Sequence, residues 1–184
     1  MRVSHKYAEW LVGVKLCPQI EALRVNCVLS MNPHFYADLT MSDVKRLSLG
    51  EIHDLANTIL MDKGFSEEQA GAIADTITAA ERDGCLSHGL FRIPFYVKAS
   101  LSEHADPRAV PSVSVTDSAV VHVDSHGGFC PLALQMGEPL LVAKARKHGI
   151  AALAIHDTYN IAALWPEAER LATEGLVAFA FTAA

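Results

Sequence analysis

Gly149-Ile150-Ala151-Ala152-Leu153-Ala154-Ile155-His156-Asp157 is the stretch from which the fold is read. Its centre, Ile150 to Ile155, is short, apolar and bounded by Gly149 and Asp157, which suits a buried strand. Upstream, Leu132 to His148 carries a helical pattern, and Gly137 and Pro139 within it predict a bend or a late start. Before that, Ala119-Val-Val-His-Val123 reads as a strand that Gly127-Gly128 breaks. Downstream, Pro166 to Glu174 is helical, Gly175 caps it, and Leu176-Val-Ala-Phe-Ala-Phe181 is expected to form another buried strand. The second half therefore runs β-α-β-α-β. No G-x-G-x-x-G opens any of its helices, so a standard Rossmann phosphate loop is absent.

The first half is helical. Ser48-Leu-Gly-Glu51 has the form of a capping box, and Ile52, Leu55, Ile59 and Leu60 follow at helical spacing until Gly64. Ser66-Glu-Glu-Gln69 repeats the signature, with Ala70, Ile73, Ile77 and Ala80 as the apolar stripe and Gly84 as the stop. A third helical stretch spans about residues 90–102, and Asp106-Pro107 and Val110-Pro111 mark a loop. The fold class is thus mixed α and β: a helical region over 41–111 followed by a non-Rossmann α/β region beginning over 112–184. Residues 1–40 lack sustained periodicity and are read either as an upstream extension before Met41 or as an arm that docks on a partner subunit. The last strand stays apolar to Ala184, as in a chain whose C-terminal part is incomplete.

Composition limits the function. With 184 residues, 51% hydrophobic and 20% charged, the chain holds one ordinary domain, or one plus an appendage, at about 150 residues per domain. Its net charge of −6 lacks the electrostatic footprint of a general nucleic-acid binder. No apolar run approaches the ~18 residues of a membrane span, and Lys15 cuts the Trp10 to Val14 stretch short of a signal peptide, which places the protein in the cytoplasm. Cys17, Cys27, Cys85 and Cys130 form no C-x-x-C pair, so reduced thiols are expected. His122 and His126 have the i, i+4 spacing of a metal pair but no third ligand at recognisable spacing; a strand-end turn is expected there, and no metal site.

The densest chemistry lies in Cys85-Leu-Ser-His-Gly-Leu-Phe-Arg-Ile-Pro-Phe-Tyr96. On a helical wheel of about 100° per residue, His88, Arg92 and Tyr96 share one face, with Leu90, Ile93, Val97 and Leu101 opposite. One helical turn, roughly 6 Å, would separate His88 from Arg92. An arginine fork would hold a carboxylate there while the imidazole reaches a neighbouring atom, as a 2-oxo or 2-hydroxy acid requires. Two features stand against this. Pro94 would bend such a helix, and Ser87 as an N-cap with Arg92 as a surface cation would account for the same residues. The segment lacks the G-x-S-x-G elbow of a serine hydrolase. A nucleotide phosphate, if bound, is best placed where Asp157-Thr-Tyr-Asn160 turns into an expected helix from Ile161, with small Ala162 and Ala163 leaving room at its N-terminus.

Taken together, Glu81 to Tyr96, the Asp124 to Phe129 turn, Lys144 to Ala151 and Ala162 to Val177 resemble the type-2 malate/L-lactate dehydrogenase family. That family includes ureidoglycolate dehydrogenase, diketogulonate reductase, sulfolactate dehydrogenase and a cyclic-imine reductase acting on piperideine-2-carboxylate. The resemblance covers residues 41–184, and Ser87-His-Gly-x-x-Arg-x-Pro-x-Tyr96 is its most specific part. It implies a homodimeric oxidoreductase, dependent on NAD or NADP, that moves hydride to or from C2 of a 2-oxo acid, 2-hydroxy acid or cyclic imino acid. Residues 112–184 would then begin a non-Rossmann cofactor-binding α/β domain. By the same resemblance Ser87 and His88 match a catalytic pair, and Arg92 and Tyr96 match substrate contacts. Asn160, Ile161, Ala162, Ala163 and Leu164 fall in the cofactor segment.

Two departures stand out. Relatives carry a histidine where this chain has Asn160, and Ala183 replaces an asparagine in a cofactor-contacting run. Relatives also continue past residue 184. A catalytically inactive remnant that only dimerises or binds a ligand is therefore the competing expectation.

Overall fold

The computed structural model describes residues 46–102 and 105–182. The readings of residues 1–40 and of Ala183 lie outside the described residues. Helix α1 (Leu49–Asp62) starts on Ser48, whose Oγ accepts the Glu51 N–H, while the Glu51 carboxylate accepts the Ser48 N–H at 2.8 Å. That is the reciprocal box the sequence predicts. Helix α2 (Glu67–Arg82) starts on Ser66, whose Oγ accepts the Gln69 N–H at 3.2 Å. The return contact is missing. The fully buried Gln69 side chain instead donates to the Ala109 carbonyl at 2.9 Å, tying α2 to the loop that leads into the sheet.

Ile73 and Ile77 of α2 pack with Ile52, Ala56 and Leu60 of α1. Leu55, expected on this stripe, is exposed, and the smaller Ala56 lets the two helices approach in its place. After α2 come two single 3-10 turns, Leu86–His88 and Leu90–Arg92, and then helix α3 (Ile93–Ser100) with Pro94 in its first turn. A proline there loses no helical hydrogen bond, so Pro94 opens this helix rather than bending it.

The sheet has three strands in the order β1-β2-β3: β1 (Ser112–Ser114) antiparallel to β2 (Val120–Asp124), and β2 parallel to β3 (Ala152–His156), with Val121 opposite Leu153 and Asp124 opposite His156. Strand β1 has no sequence signal beyond its loop. Helix α4 (Cys130–His148) joins β2 to β3. It begins before the expected Leu132, with Pro131 in its first turn, and runs through both Gly137 and Pro139. Gly137 is a packing residue: a Cβ there would stand 2.6 Å from Leu153 Cδ1 of the sheet. Pro139 sits on the exposed side, where the carbonyl one turn earlier, which lacks its usual donor, faces water.

Helix α5 (Trp165–Thr173) ends at Gly175, whose φ of 77° fits a glycine stop. The expected strand over Leu176 to Phe181 is not formed among the described residues. The segment is extended, but Val177, Phe179 and Phe181 are exposed and no ladder ties it to β3. An apolar run becomes a strand only when its backbone groups find a partner.

Phe129, at the start of α4, joins the two halves. It is fully buried against Phe65, Tyr96 and Tyr159, with ring centroids 5.2, 5.5 and 5.7 Å away. Among the described residues no helix is long and apolar enough to cross a membrane.

Candidate functional site

Sequence places His88, Arg92 and Tyr96 on one helical face; the chain instead turns through two 3-10 segments before α3 begins. A 3-10 turn advances about 120° per residue, so the three side chains separate in phase. His88 and Arg92 stay together, with His88 Nε2 and Arg92 Nη2 3.3 Å apart. Tyr96 does not join them at the surface. Its side chain is 1% exposed and its ring packs on Phe129 in the helical core, where burial pushes its hydroxyl pKa up.

The contacts define the imidazole. Arginine only donates, so His88 Nε2 is the acceptor, and the neutral ring carries its proton on Nδ1. Ser87 Oγ lies 3.0 Å from that nitrogen and accepts the hydrogen bond from its N–H. Cys85 Sγ is 3.6 Å from the same Nδ1. Partial burial and then the Arg92 charge hold the His88 pKa below the ordinary imidazole value, which keeps the ring neutral near pH 7. Ser87 caps no helix; the turn it sits in starts at Cys85 without a side-chain cap.

Arg92 is held on two sides. Its Nε donates to the Ser87 carbonyl at 2.8 Å, and its guanidinium lies 5.6 Å from the Phe95 ring centre. The remaining N–H groups of the fork are the ones suited to a carboxylate.

Trp165, the first residue of α5, faces this pair: its ring stands edge-on to His88 at 6.2 Å. The indole N–H donates to Asp83 Oδ2 at 2.6 Å, and Asp83 accepts two bonds from Arg82, at 2.8 and 2.9 Å. Arg82 also pairs with Glu169 of α5. The Arg82 contact, aided by Trp165, holds the Asp83 carboxyl below the usual carboxylate range. Neither Trp165 nor Asp83 follows from spacing, since α5 meets α2 through residues 82 positions apart in the chain.

The expected helix from Ile161 is absent; α5 begins at Trp165, and residues 160–164 are a loop. Asn160 Oδ1 accepts the Ala162 N–H at 3.2 Å, closing a local turn that diverts the chain from a helix. Ala162 and Ala163 are buried and do not line an open helix end. The loop is anchored by paired backbone bonds between Tyr159 and the start of α4, Tyr159 N–H to Gly128 and Cys130 N–H to Tyr159. It runs straight into the tryptophan that faces His88. It does not supply the phosphate-binding helix N-terminus read from the sequence.

The histidine pair of the β2 turn also separates. His122 is exposed on the strand, whereas His126 has its Nε2 2.9 Å from Ser112 Oγ and its Nδ1 3.4 Å from Asp124 Oδ1.

Comparison with known proteins adds the following. The family model for malate/L-lactate dehydrogenase matches residues 47–184. A Δ1-pyrroline-2-carboxylate reductase of Ancylobacter novellus is 46% identical over 142 residues, covering 77% of this chain and 42% of that protein. A Δ1-pyrroline-2-carboxylate reductase of Burkholderia ambifaria is 46% identical over 134 residues, covering 73% of this chain and 39% of that protein. The crystal structure of Δ1-piperideine-2-carboxylate reductase from Pseudomonas syringae superposes with a TM-score of 0.69 at 40% identity, over 72% of this chain and 40% of that one. The chain thus spans about two fifths of the length of the relatives it matches.

Proposed function

Because the chain belongs to the malate/L-lactate dehydrogenase family, we propose that it forms the substrate-gripping part of an NAD- or NADP-dependent reductase for a cyclic imino acid such as Δ1-pyrroline-2-carboxylate. The observation that carries this is the Arg92–His88 pair, a guanidinium 3.3 Å from an imidazole nitrogen. A cyclic imino acid sets a carboxylate on the carbon next to its ring nitrogen, so one cation and one proton-transferring group at adjacent positions meet both ends. Reducing the C=N bond places hydride on C2 and a proton on nitrogen; a nicotinamide nucleotide, when bound, would supply the hydride.

The proton is the protein's part. In the free site Arg92 donates to His88 Nε2 and its charge opposes protonation. A substrate carboxylate that takes up the guanidinium neutralises that charge and frees Nε2 to gain a proton. His88 then gives this proton to the ring nitrogen, while Ser87 Oγ, 3.0 Å from Nδ1, fixes the ring. Trp165, tethered by Asp83, excludes water from one side of the imidazole. Tyr96 acts from behind as packing, not as a direct contact.

In a turnover-competent form of the enzyme, Arg92→Lys keeps the charge but loses the planar fork, and it is expected to raise KM for the imino acid about tenfold or more with a smaller change in kcat. Steady-state kinetics check this; an unchanged KM would make Arg92 a surface residue.

The competing reading, an inactive remnant that only binds or dimerises, is favoured by one observation. Asn160 spends its side chain on the Ala162 N–H, in a loop that offers no helix end to a phosphate. On that ground the 184-residue chain by itself is expected to bind NADH and NADPH poorly and to show no measurable turnover. Fluorescence titration and a 2-oxo acid panel test this, and brisk NADPH or NADH oxidation by the purified chain would contradict it. The homodimer implied by the resemblance and the cytoplasmic location expected from the sequence belong to the same proposal, and sedimentation of the chain tests the dimer.

A further inference from the structure

The last turn of α2 buries a carboxylate beside the Ser-His turn that none of the preceding chemistry uses. Glu81 is 2% exposed. Its Oε1 accepts the Leu90 N–H at 2.7 Å, and its Oε2 is buried without a partner among the described residues. Burying a carboxylate with one oxygen unpaired is costly, and an apolar side chain would fill the same space at lower cost. What an apolar side chain lacks is an acceptor for a backbone N–H.

That N–H belongs to Leu90, the first residue of the second 3-10 turn. Leu86–His88 presents Ser87 and His88, Leu90–Arg92 presents Arg92, and Gly89 joins them. Gly89 is buried, and a Cβ on it would overlap the Glu81 carboxylate, so the glycine of the Ser-His-Gly run is the space this carboxylate needs. The start of the segment is fixed by the same helix, through the Cys85 N–H to the Ala80 carbonyl at 2.8 Å. Glu81 reaches the site through the Leu90 backbone N–H.

We propose that Glu81 is the positioning residue of the site: its carboxylate clamps the Leu90 N–H and thereby sets the distance between the imidazole of His88 and the guanidinium of Arg92. The role of that distance rests on the reductase reading above, but the clamp is testable without it.

The test uses the 184-residue chain and two NMR readouts, hydrogen exchange of the Leu90 amide and pH titration of the His88 ring, in Glu81→Gln, Glu81→Leu and Gly89→Ala. Glutamine keeps the acceptor oxygen, so both readouts should stay at parental values. Leucine removes the acceptor, so the Leu90 amide should exchange about tenfold faster or more. The His88 titration should also move up, because an opened turn is wetter and farther from Arg92. Gly89→Ala keeps the carboxylate but takes its place, and it should behave like Glu81→Leu. If Glu81→Leu fails to fold, Gly89→Ala against Glu81→Gln decides the matter. Parental exchange and titration in folded Glu81→Leu, or in Gly89→Ala, would overturn the proposal. So would a Glu81→Gln protein as altered as Glu81→Leu. None of these readouts needs turnover, so the clamp stands or falls separately from the reductase reading, which the response of His88 to bound imino acid tests.

Discussion

In a turnover-competent form of the enzyme, His88→Ala is expected to lower kcat by ~10²–10⁴-fold, the usual loss when a positioned acid is removed. The fold should survive, because His88 is half-buried at the end of a short turn and lies outside both apolar clusters. The substitution also removes the acceptor that Arg92 uses in the free site. Carboxylate affinity should therefore hold or improve while the chemical step fails, a split that separates proton transfer from binding. Rapid kinetics and thermal unfolding of the variant check both halves. Near-normal kcat would remove His88 from the mechanism.

Glu167→Gln is expected to stabilise the protein at alkaline pH and to do nothing of the kind in acid. Glu167, in the first turn of α5, is buried with Oε2 unpartnered among the described residues, and burial pushes its carboxyl pKa up from the ordinary 4.5 to about 7. The folded protein therefore holds this proton over a range where the unfolded chain has released it. Stability from this group is intact below about pH 4.5 and is lost as pH rises to about 7. Once both states are ionised the loss is on the order of 3 kcal/mol. A neutral amide is spared it, less the roughly 1–3 kcal/mol cost of an unpaired buried amide group. Denaturant unfolding at pH 4 and pH 8.5 measures the difference between variant and parent; a difference independent of pH would mean that folding leaves the Glu167 pKa unshifted.

Local chemistry was legible where it depends on neighbours in sequence. Ser48 with Glu51, and the stripe of Ile73 and Ile77, needed only helix geometry, and both helices stand where the caps put them. Strands β2 and β3 were likewise marked by short apolar runs between turn residues. Reading Gly137 as a breaker failed because its reason is tertiary: Leu153 of the sheet occupies the space of a side chain. The Leu176 to Phe181 run failed for the opposite reason, since composition predicts burial but cannot supply a hydrogen-bonding partner.

The site divides in the same way. Arg92 and His88 were paired by spacing and do meet, although through two 3-10 turns and not along one helix. Tyr96 was placed beside them by a wheel that assumed about 100° per residue throughout, and the tighter turns carry it into the core instead. Trp165, Asp83 and the buried Oε2 of Glu81 carry no local signal, because the first two meet across distant segments and the third has no partner among the described residues.

The central claim is that a carboxylate on Arg92 releases His88 to carry a proton, and pH titration of the His88 ring by NMR, with and without saturating Δ1-pyrroline-2-carboxylate, tests it most directly. The free chain should titrate below the ordinary imidazole value, and bound imino acid should move the titration up, with the movement weakened in Arg92→Lys. A His88 titration indifferent to the imino acid, or one that shifts equally when Arg92 is replaced, would contradict the account.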